Sequence, residues 1–290
     1  MSSDLQSIQV SSGESIELEW IPAKENFSEA KTFLFLPCIT GNFRTYKIPK
    51  TQIWEKGLNV LLVNPRGHGN SSGTYHSEKS VEDILEILHV LKLDFSKLIG
   101  FGHSGGGATI LKLSAKIFLE TKVSIPVFLC SPILDSALSL KFLYESQNIS
   151  EFFLSFLKSE EDFGSLPKFL RDPDWLNPTV WRDHDYRSIC NGGKLNFRTP
   201  NFLLGDWLEN LFIPTRNCVL DLEQKNKNSV LFLPKEDIWF HTEFTLEQAE
   251  KRDWRIEIVE MATNHFFKGG WEFVWNEVLS ELDSVSSQKI

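Results

Sequence analysis

Leu98-Ile99-Gly100-Phe101-Gly102-His103-Ser104-Gly105-Gly106-Gly107 is the stretch on which the reading of the fold turns. An apolar run of strand length, Leu98 to Phe101, leads into Gly102-His103-Ser104-Gly105-Gly106, and a helical pattern follows from Ile110 to Phe118. A strand that reverses so sharply into a helix forces the turn residue into strained backbone. Side chains two residues before and after it would collide, so only very small residues fit at Gly102 and Gly106. The turn projects the Ser104 hydroxyl over the C-terminal edge of a sheet. It also leaves the Gly105 N–H at a helix N-terminus, free to donate.

The same alternation extends outward. Phe33 to Leu36, Val60 to Val63 and Pro126 to Cys130 are further apolar runs, ending in Pro37, Asn64-Pro65 and Ser131-Pro132. Such runs fit strands buried on both faces of a parallel sheet. Between them, Val81, Ile84, Leu85, Leu88 and Leu91 form one helix face, with Ser80 as the expected N-cap. Gln6 to Val10 and Ser15 to Trp20, joined through Ser11-Ser12-Gly13, read as an antiparallel hairpin at the sheet edge. The expected class is therefore α/β, a mostly parallel doubly wound sheet.

The alternation breaks after Pro132. Residues 135–228 are rich in aromatics, Trp175, Trp181 and Trp207 among them, and read as a mainly helical cap inserted after the sixth strand. It resumes with a strand at Val230 to Leu233 and a helix at Thr245 to Arg252, opened by a capping-box pattern Thr245-x-x-Gln248. A strand at Arg255 to Val259 and an amphipathic helix carrying Trp271, Val274, Trp275, Val278, Leu279 and Leu282 complete the chain. The division expected is a core of residues 1–134 and 229–290, with residues 135–228 as its cap.

Composition narrows the function classes. The 290 residues carry a net charge of -9, which argues against a nucleic-acid partner and against anionic membrane surfaces. No apolar run reaches membrane-spanning length. Cys38, Cys130, Cys190 and Cys218 lie at no metal-ligand or redox spacing. Met1-Ser2-Ser3-Asp4 begins no basic or apolar leader, so the expectation is a reduced, cytoplasmic protein. With 23 Phe and 9 Trp against 4 Tyr, large rigid side chains are expected to fill the core or line a pocket. Oligomeric state is not legible.

A serine hydroxyl is a weak nucleophile. It needs an imidazole to take its proton and a carboxylate to orient that imidazole. In a strand–turn–helix setting of this kind the partners follow in the order serine, acid, histidine. Of the histidines, His265 follows a late strand and precedes the last helix, where the base belongs; His241 is its rival. His103 adjoins Ser104, and adjacent side chains diverge at such a turn. The acid should stand just past the preceding strand, where Pro234-Lys235-Glu236-Asp237 offers two carboxylates. Asp237 is preferred and Glu236 is the alternative; failing both, a carboxylate at the end of the strand near Ser131, such as Asp135, would serve. Besides Gly105, the second oxyanion donor should come from the loop Pro37-Cys38-Ile39-Thr40-Gly41-Asn42, with the Ile39 N–H the best placed. Cys38 reads as a small apolar residue packed beneath that loop.

These motifs resemble the α/β-hydrolase superfamily, in particular its serine-aminopeptidase-like and monoacylglycerol-lipase-like branches. Asn64-Pro65-Arg66-Gly67-His68-Gly69-Asn70-Ser71 is similar to that branch's D-x-R-G-x-G-x-S loop. Gly102 to Gly106 is similar to its nucleophile elbow, and Asn264-His265-Phe266-Phe267 to its G-x-H-F-F ending. Three positions depart from the pattern. Pro37-Cys38 replaces His-Gly before the oxyanion donor. Pro234 replaces the glycine of the G-x-x-D acid turn, which otherwise favours Asp237. Asn64 replaces an aspartate at a position expected to be structural.

The resemblance covers about residues 5–134 and 229–283. It implies a serine hydrolase with Ser104 as nucleophile, His265 as base, Asp237 as acid, and Ile39 and Gly105 as oxyanion donors. Neither metal nor organic cofactor is implied. The substrate implied is a small-molecule carboxylic ester, with an apolar or lipid-like acyl group suggested by the aromatic insertion. An acyltransferase or a peptidase could use the same residues, and a scaffold that lost its activity could keep the fold.

Overall fold

The computed structural model describes residues 4–39, 41–73, 75–134, 229–237 and 242–287. The cap expected at 135–228 lies outside them, as do His241, Asp135, Cys190 and Cys218. Among the described residues, eight strands form one sheet: β1 (Asp4–Gln9), β2 (Ser15–Ile21), β3 (Thr32–Leu36), β4 (Asn59–Val63), β5 (Leu98–His103), β6 (Val127–Cys130), β7 (Val230–Pro234) and β8 (Arg255–Val259). Their spatial order is β1-β2-β4-β3-β5-β6-β7-β8. β2 runs antiparallel to both β1 and β4, and every other pair is parallel. The expected α/β sheet, with a hairpin at its edge, is what forms.

Every residue of β3, β4, β5, β6 and β7 is buried. Both faces are apolar, and the pleat sorts the side chains by size. After a short first helix, α1 (Lys50–Glu55), come α2 (Ser77–Val90) and α3 (Gly105–Thr121), and Leu34, Leu36, Leu61, Val63, Val127, Leu129, Leu231 and Leu233 share one core with these two. Phe33, Phe35, Ile99, Phe101, Phe128 and Phe232 face the other way, with Val274, Trp275 and Val278 of a C-terminal helix, Trp271–Ser287. Phe101 stacks on Trp275 at 4.7 Å and on Phe35 at 5.3 Å. Much of the phenylalanine excess thus packs one face of the sheet.

Two helix starts differ from the sequence reading. α2 begins at Ser77, a turn before the expected cap. His76 is its N-cap, with Nδ1 accepting from the Lys79 N–H, and Ser80 lies buried inside the helix. Glu78, a good helix former, extends the periodic segment backward. The expected capping box is likewise interior, because that helix spans Thr242–Lys251. Its Gln248 instead accepts from Arg252 at 2.8 Å.

The sheet's topology creates the crevice. From β3 the chain moves to β4 on one side and later to β5 on the other, so the loops after β3 and β5 diverge at their C-terminal ends. Leu36 is level with Gly102 across this pair, which brings the two loops side by side.

The loop after β4 is pinned by buried polar groups. Arg66 binds Asp83 of α2 through two hydrogen bonds, of 2.8 and 2.5 Å. Glu17 accepts from the Asn64 amide at 2.6 Å, from Asn70 and from Arg44. Burial pushes Glu17 upward, but these hydrogen bonds and the Arg44 charge outweigh it and hold the carboxyl below its usual range. Asn64 also accepts from the Phe43 N–H at 3.0 Å, which is a structural use of that position.

The burial of His68 on this loop predicts an acid-sensitive fold. Its Nδ1 donates to the Arg66 carbonyl at 3.1 Å, and burial pushes the ring down to about 4, the neighbouring carbonyls only partly opposing this. A folded value below 6.5 means the unfolded chain takes up the proton first. The associated stability is complete above pH 6.5 and is lost as pH falls toward 4, by about 3 kcal/mol. His68→Asn keeps a donor at the Nδ1 position and removes the titration. Denaturant melts at pH 7.5 and 4.5 should show a loss smaller by about 2–3 kcal/mol than in the parent. An unchanged pH dependence would assign the acid sensitivity to other groups.

Candidate active site

Ser104 sits between β5 and α3 with φ 54° and ψ -118°, a conformation that L residues rarely adopt. The expected crowding is present, but at Gly106 its source is the end of β3 and the loop after it rather than Gly102. A Cβ at Gly102 would lie 2.5 Å from the Gly106 carbonyl oxygen, and one at Gly106 would lie 2.3 Å from the Pro37 oxygen. Backbone stands in both places and cannot move aside. Among the described residues, Ser104 Oγ makes no hydrogen bond.

Ile39 and Gly105 are neighbours. A Cβ at Gly105 would meet Ile39 Cγ1 at 2.3 Å. Neither the Ile39 nor the Gly105 N–H donates to any described group. Two unclaimed donors thus flank the serine, one from each loop of the crevice. Cys38, beside Ile39, is buried and in no disulfide.

Gly105→Ala tests this closeness. The added methyl must displace the branched stem of Ile39 and, with it, the loop that presents the Ile39 N–H. The variant should fold, while kcat falls roughly 10²-fold, the scale of losing one oxyanion donor. Thermal melts and ester turnover measure the two effects. Parent-like turnover would show that the Ile39 loop plays no part. Gly102→Ala and Gly106→Ala should instead lose the fold.

His265 lies after β8 and Asp237 after β7. His265 Nδ1 and Asp237 Oδ2 are 2.8 Å apart, and both side chains are 3% exposed. A carboxylate can only accept, so Nδ1 carries the hydrogen and Nε2 keeps its lone pair. Burial lowers the His265 pKa; the Asp237 charge and hydrogen bond oppose this, and His103 adds to it. Lys235 and Glu236 are exposed, so of the two candidate carboxylates only Asp237 reaches the imidazole. No hydrogen bond joins His265 to Ser104 among the described residues. Their connection runs through His103, whose ring lies 5.2 Å from that of His265.

The sequence reading assigned His103 and Tyr46 no part here. His103 is in phase with Ile99 and Phe101, and this alternation places it on the aromatic face of the sheet, away from the serine hydroxyl. There it bonds Tyr46 at 2.7 Å and the His265 carbonyl at 2.9 Å. The described residues hold no cluster of metal-ligating side chains and no helix long and apolar enough to cross a membrane.

No curated protein sequence matches the chain. Solved structures share its fold at low identity. An esterase from Exiguobacterium antarcticum is 18% identical with a TM-score of 0.61, over 98% of this chain and 100% of that one. Est1E from Butyrivibrio proteoclasticus is 16% identical with a TM-score of 0.61, over 98% and 99%. A carboxylesterase structure from the thaumarchaeon Nitrososphaera gargenis is 13% identical with a TM-score of 0.63, over 98% and 100%. The profile of one family matches residues 35–274, from inside β3 to the start of the last helix, and so takes in every candidate site residue. The chain belongs to the alpha/beta hydrolase family.

Proposed function

We propose that the protein is a serine hydrolase of carboxylic esters, acting through an acyl-enzyme on Ser104. The observation that carries the reading is the buried 2.8 Å Asp237–His265 pair, tied through His103 to a serine held at φ 54°. Ser104 Oγ attacks the ester carbonyl carbon while His265 Nε2 takes its proton. The carbonyl oxygen becomes an oxyanion and accepts from the Ile39 and Gly105 N–H groups. Collapse expels the alcohol, which receives the proton from His265. Water, deprotonated by His265, then attacks the acyl-enzyme and releases the acid and Ser104. Because burial depresses the His265 pKa, the imidazole is neutral and ready to act as a base at neutral pH.

Residues 135–228 are assigned to a cap over Ser104. The chain leaves β6 at the same sheet edge, where Ser104 N–H donates to the Cys130 carbonyl at 2.8 Å. The aromatics of this segment favour an apolar acyl group, and the similar structures described as esterases favour an ester. A cytoplasmic location is supported by the two cysteines among the described residues, Cys38 and Cys130, which are buried and in no disulfide. Fluorophosphonate labelling with peptide mapping, together with a panel of chromogenic esters, tests the reading. One label on the peptide containing Ser104 and turnover of at least one ester are expected. Absence of both would overturn it.

A further inference from the structure

We propose that Tyr46 and His103 are positioning residues that tie the oxyanion loop to the loop of the base, and so set the reactivity of Ser104. This inference rests on the serine-hydrolase reading and deepens it. The connection is a continuous line of hydrogen bonds. The Cys38 N–H donates to the Tyr46 hydroxyl at 3.1 Å, and Tyr46 Oη lies 2.7 Å from His103 Nδ1. His103 Nε2 lies 2.9 Å from the carbonyl oxygen of His265. That carbonyl can only accept, so Nε2 carries a hydrogen. In the neutral ring Nδ1 then accepts from the Tyr46 hydroxyl.

Both ends of the line, and His103 in its middle, lie at or next to groups that the mechanism uses. Cys38 precedes Ile39, His103 precedes Ser104, and the carbonyl belongs to His265 itself. The line therefore spans all three segments from beneath, without touching the reacting atoms. Its surroundings keep it dry. His103 is 1% exposed and meets Phe266, Phe267 and Trp271 edge-on, with ring centroids 6.2, 5.9 and 5.4 Å away. Tyr46 packs edge-on against Phe35 at 4.9 Å and Trp271 at 5.2 Å. His103, at the centre of the line, is thus shielded from water, in a setting where its hydrogen bonds are stronger and their geometry firmer.

A side chain that merely filled space at position 103 would not do this. Leucine would cover the same aromatic face and release both loops. The loop after β8 could then drift relative to Ser104, and misplacement of a catalytic group by about 1 Å lowers rate by up to roughly 10²-fold.

The test compares the parent with His103→Leu, His103→Gln and Tyr46→Phe, using the full chain. Its readouts are the rate of fluorophosphonate labelling at Ser104 and the kcat and KM for the best chromogenic ester. His103→Leu is expected to lower labelling rate and kcat together by roughly 10²-fold, with KM within about threefold. His103→Gln keeps a donor toward the His265 carbonyl and should recover most of that loss. Tyr46→Phe removes only a hydroxyl from a half-buried ring, so it tests the line even if His103→Leu does not fold. Its effect should be nearly absent once His103 is already leucine or, where that protein is unfolded, smaller in His103→Gln than in the parent.

Three outcomes overturn the proposal alone: parent-like labelling in folded His103→Leu, a loss confined to KM, or parent-like labelling in Tyr46→Phe. A parent protein that labels at another serine, or not at all, overturns the Ser104 assignment itself, and the positioning role falls with it.

Discussion

A Ser104→Ala protein is expected to fold like its parent and to lose ester turnover by roughly 10⁴-fold or more, together with all fluorophosphonate labelling. Both halves of this expectation follow from the site. Ser104 Oγ makes no hydrogen bond among the described residues, so its removal breaks none of theirs. Alanine keeps the Cβ, and the strain at φ 54° is therefore the same in both proteins. The melting temperature should not move. Turnover should collapse because the turn offers no second nucleophile: its other residues are glycines and His103, whose ring faces the aromatic core. Residual activity would come from the Ile39 and Gly105 donors and from substrate binding alone. Undiminished hydrolysis by the folded variant would move the chemistry to another residue.

The sheet was readable because five neighbouring strands each carry a continuous apolar run and are buried on both faces, a pattern that water-facing strands do not show. Phe33 to Leu36 and Val60 to Val63 needed no partner to be recognised. Helix starts were less readable. Ser80 and Thr245 are good cap residues by type, but both are buried within their helices, where packing of one face decides the outcome. The helix Lys50–Glu55, with only Ile53 buried, is too short to show a period and was missed.

The site divides in the same way. Local sterics reveal Ser104 and its glycines, because the elbow is written in five consecutive residues. Tyr46 and His103 are joined only in the folded chain, across 57 positions, and His103 meets His265 across 162. One clue was present: alternation along Ile99, Phe101 and His103 assigns the histidine to the aromatic face. Glu17 gave the opposite signal. It alternates with Ile16 and Leu18 as a solvent-facing residue would, yet the loop after β4 closes over it.

Asp237→Asn is expected to lose about 10⁴ in turnover near neutral pH, and Glu236→Gln to stay within about tenfold of the parent. Asp237 meets His265 Nδ1 at 2.8 Å in a setting where both side chains are almost fully covered, whereas Glu236 is exposed. In the proposed mechanism the carboxylate does two things in that covered setting. As an acceptor it fixes the hydrogen on Nδ1 and leaves Nε2 facing the reaction; an asparagine amide turned about can fix the other tautomer. As a charge it stabilises the imidazolium that forms when Ser104 gives up its proton. Burial already lowers the His265 pKa, and His103 lowers it further, so Asp237 is the group that holds it up. Without that charge the pKa falls again. The ring then remains neutral to lower pH, but it becomes a weaker base at every pH. The acid limb of kcat/KM in Asp237→Asn should therefore move to lower pH while the plateau drops, and a pH–rate profile separates these two shifts. A profile that merely drops, with its acid limb in place, would mean that the asparagine acts through tautomer alone. Reversed effects of the two substitutions would assign the acid to Glu236, and little effect from either would assign it to a carboxylate outside the described residues, such as Asp135.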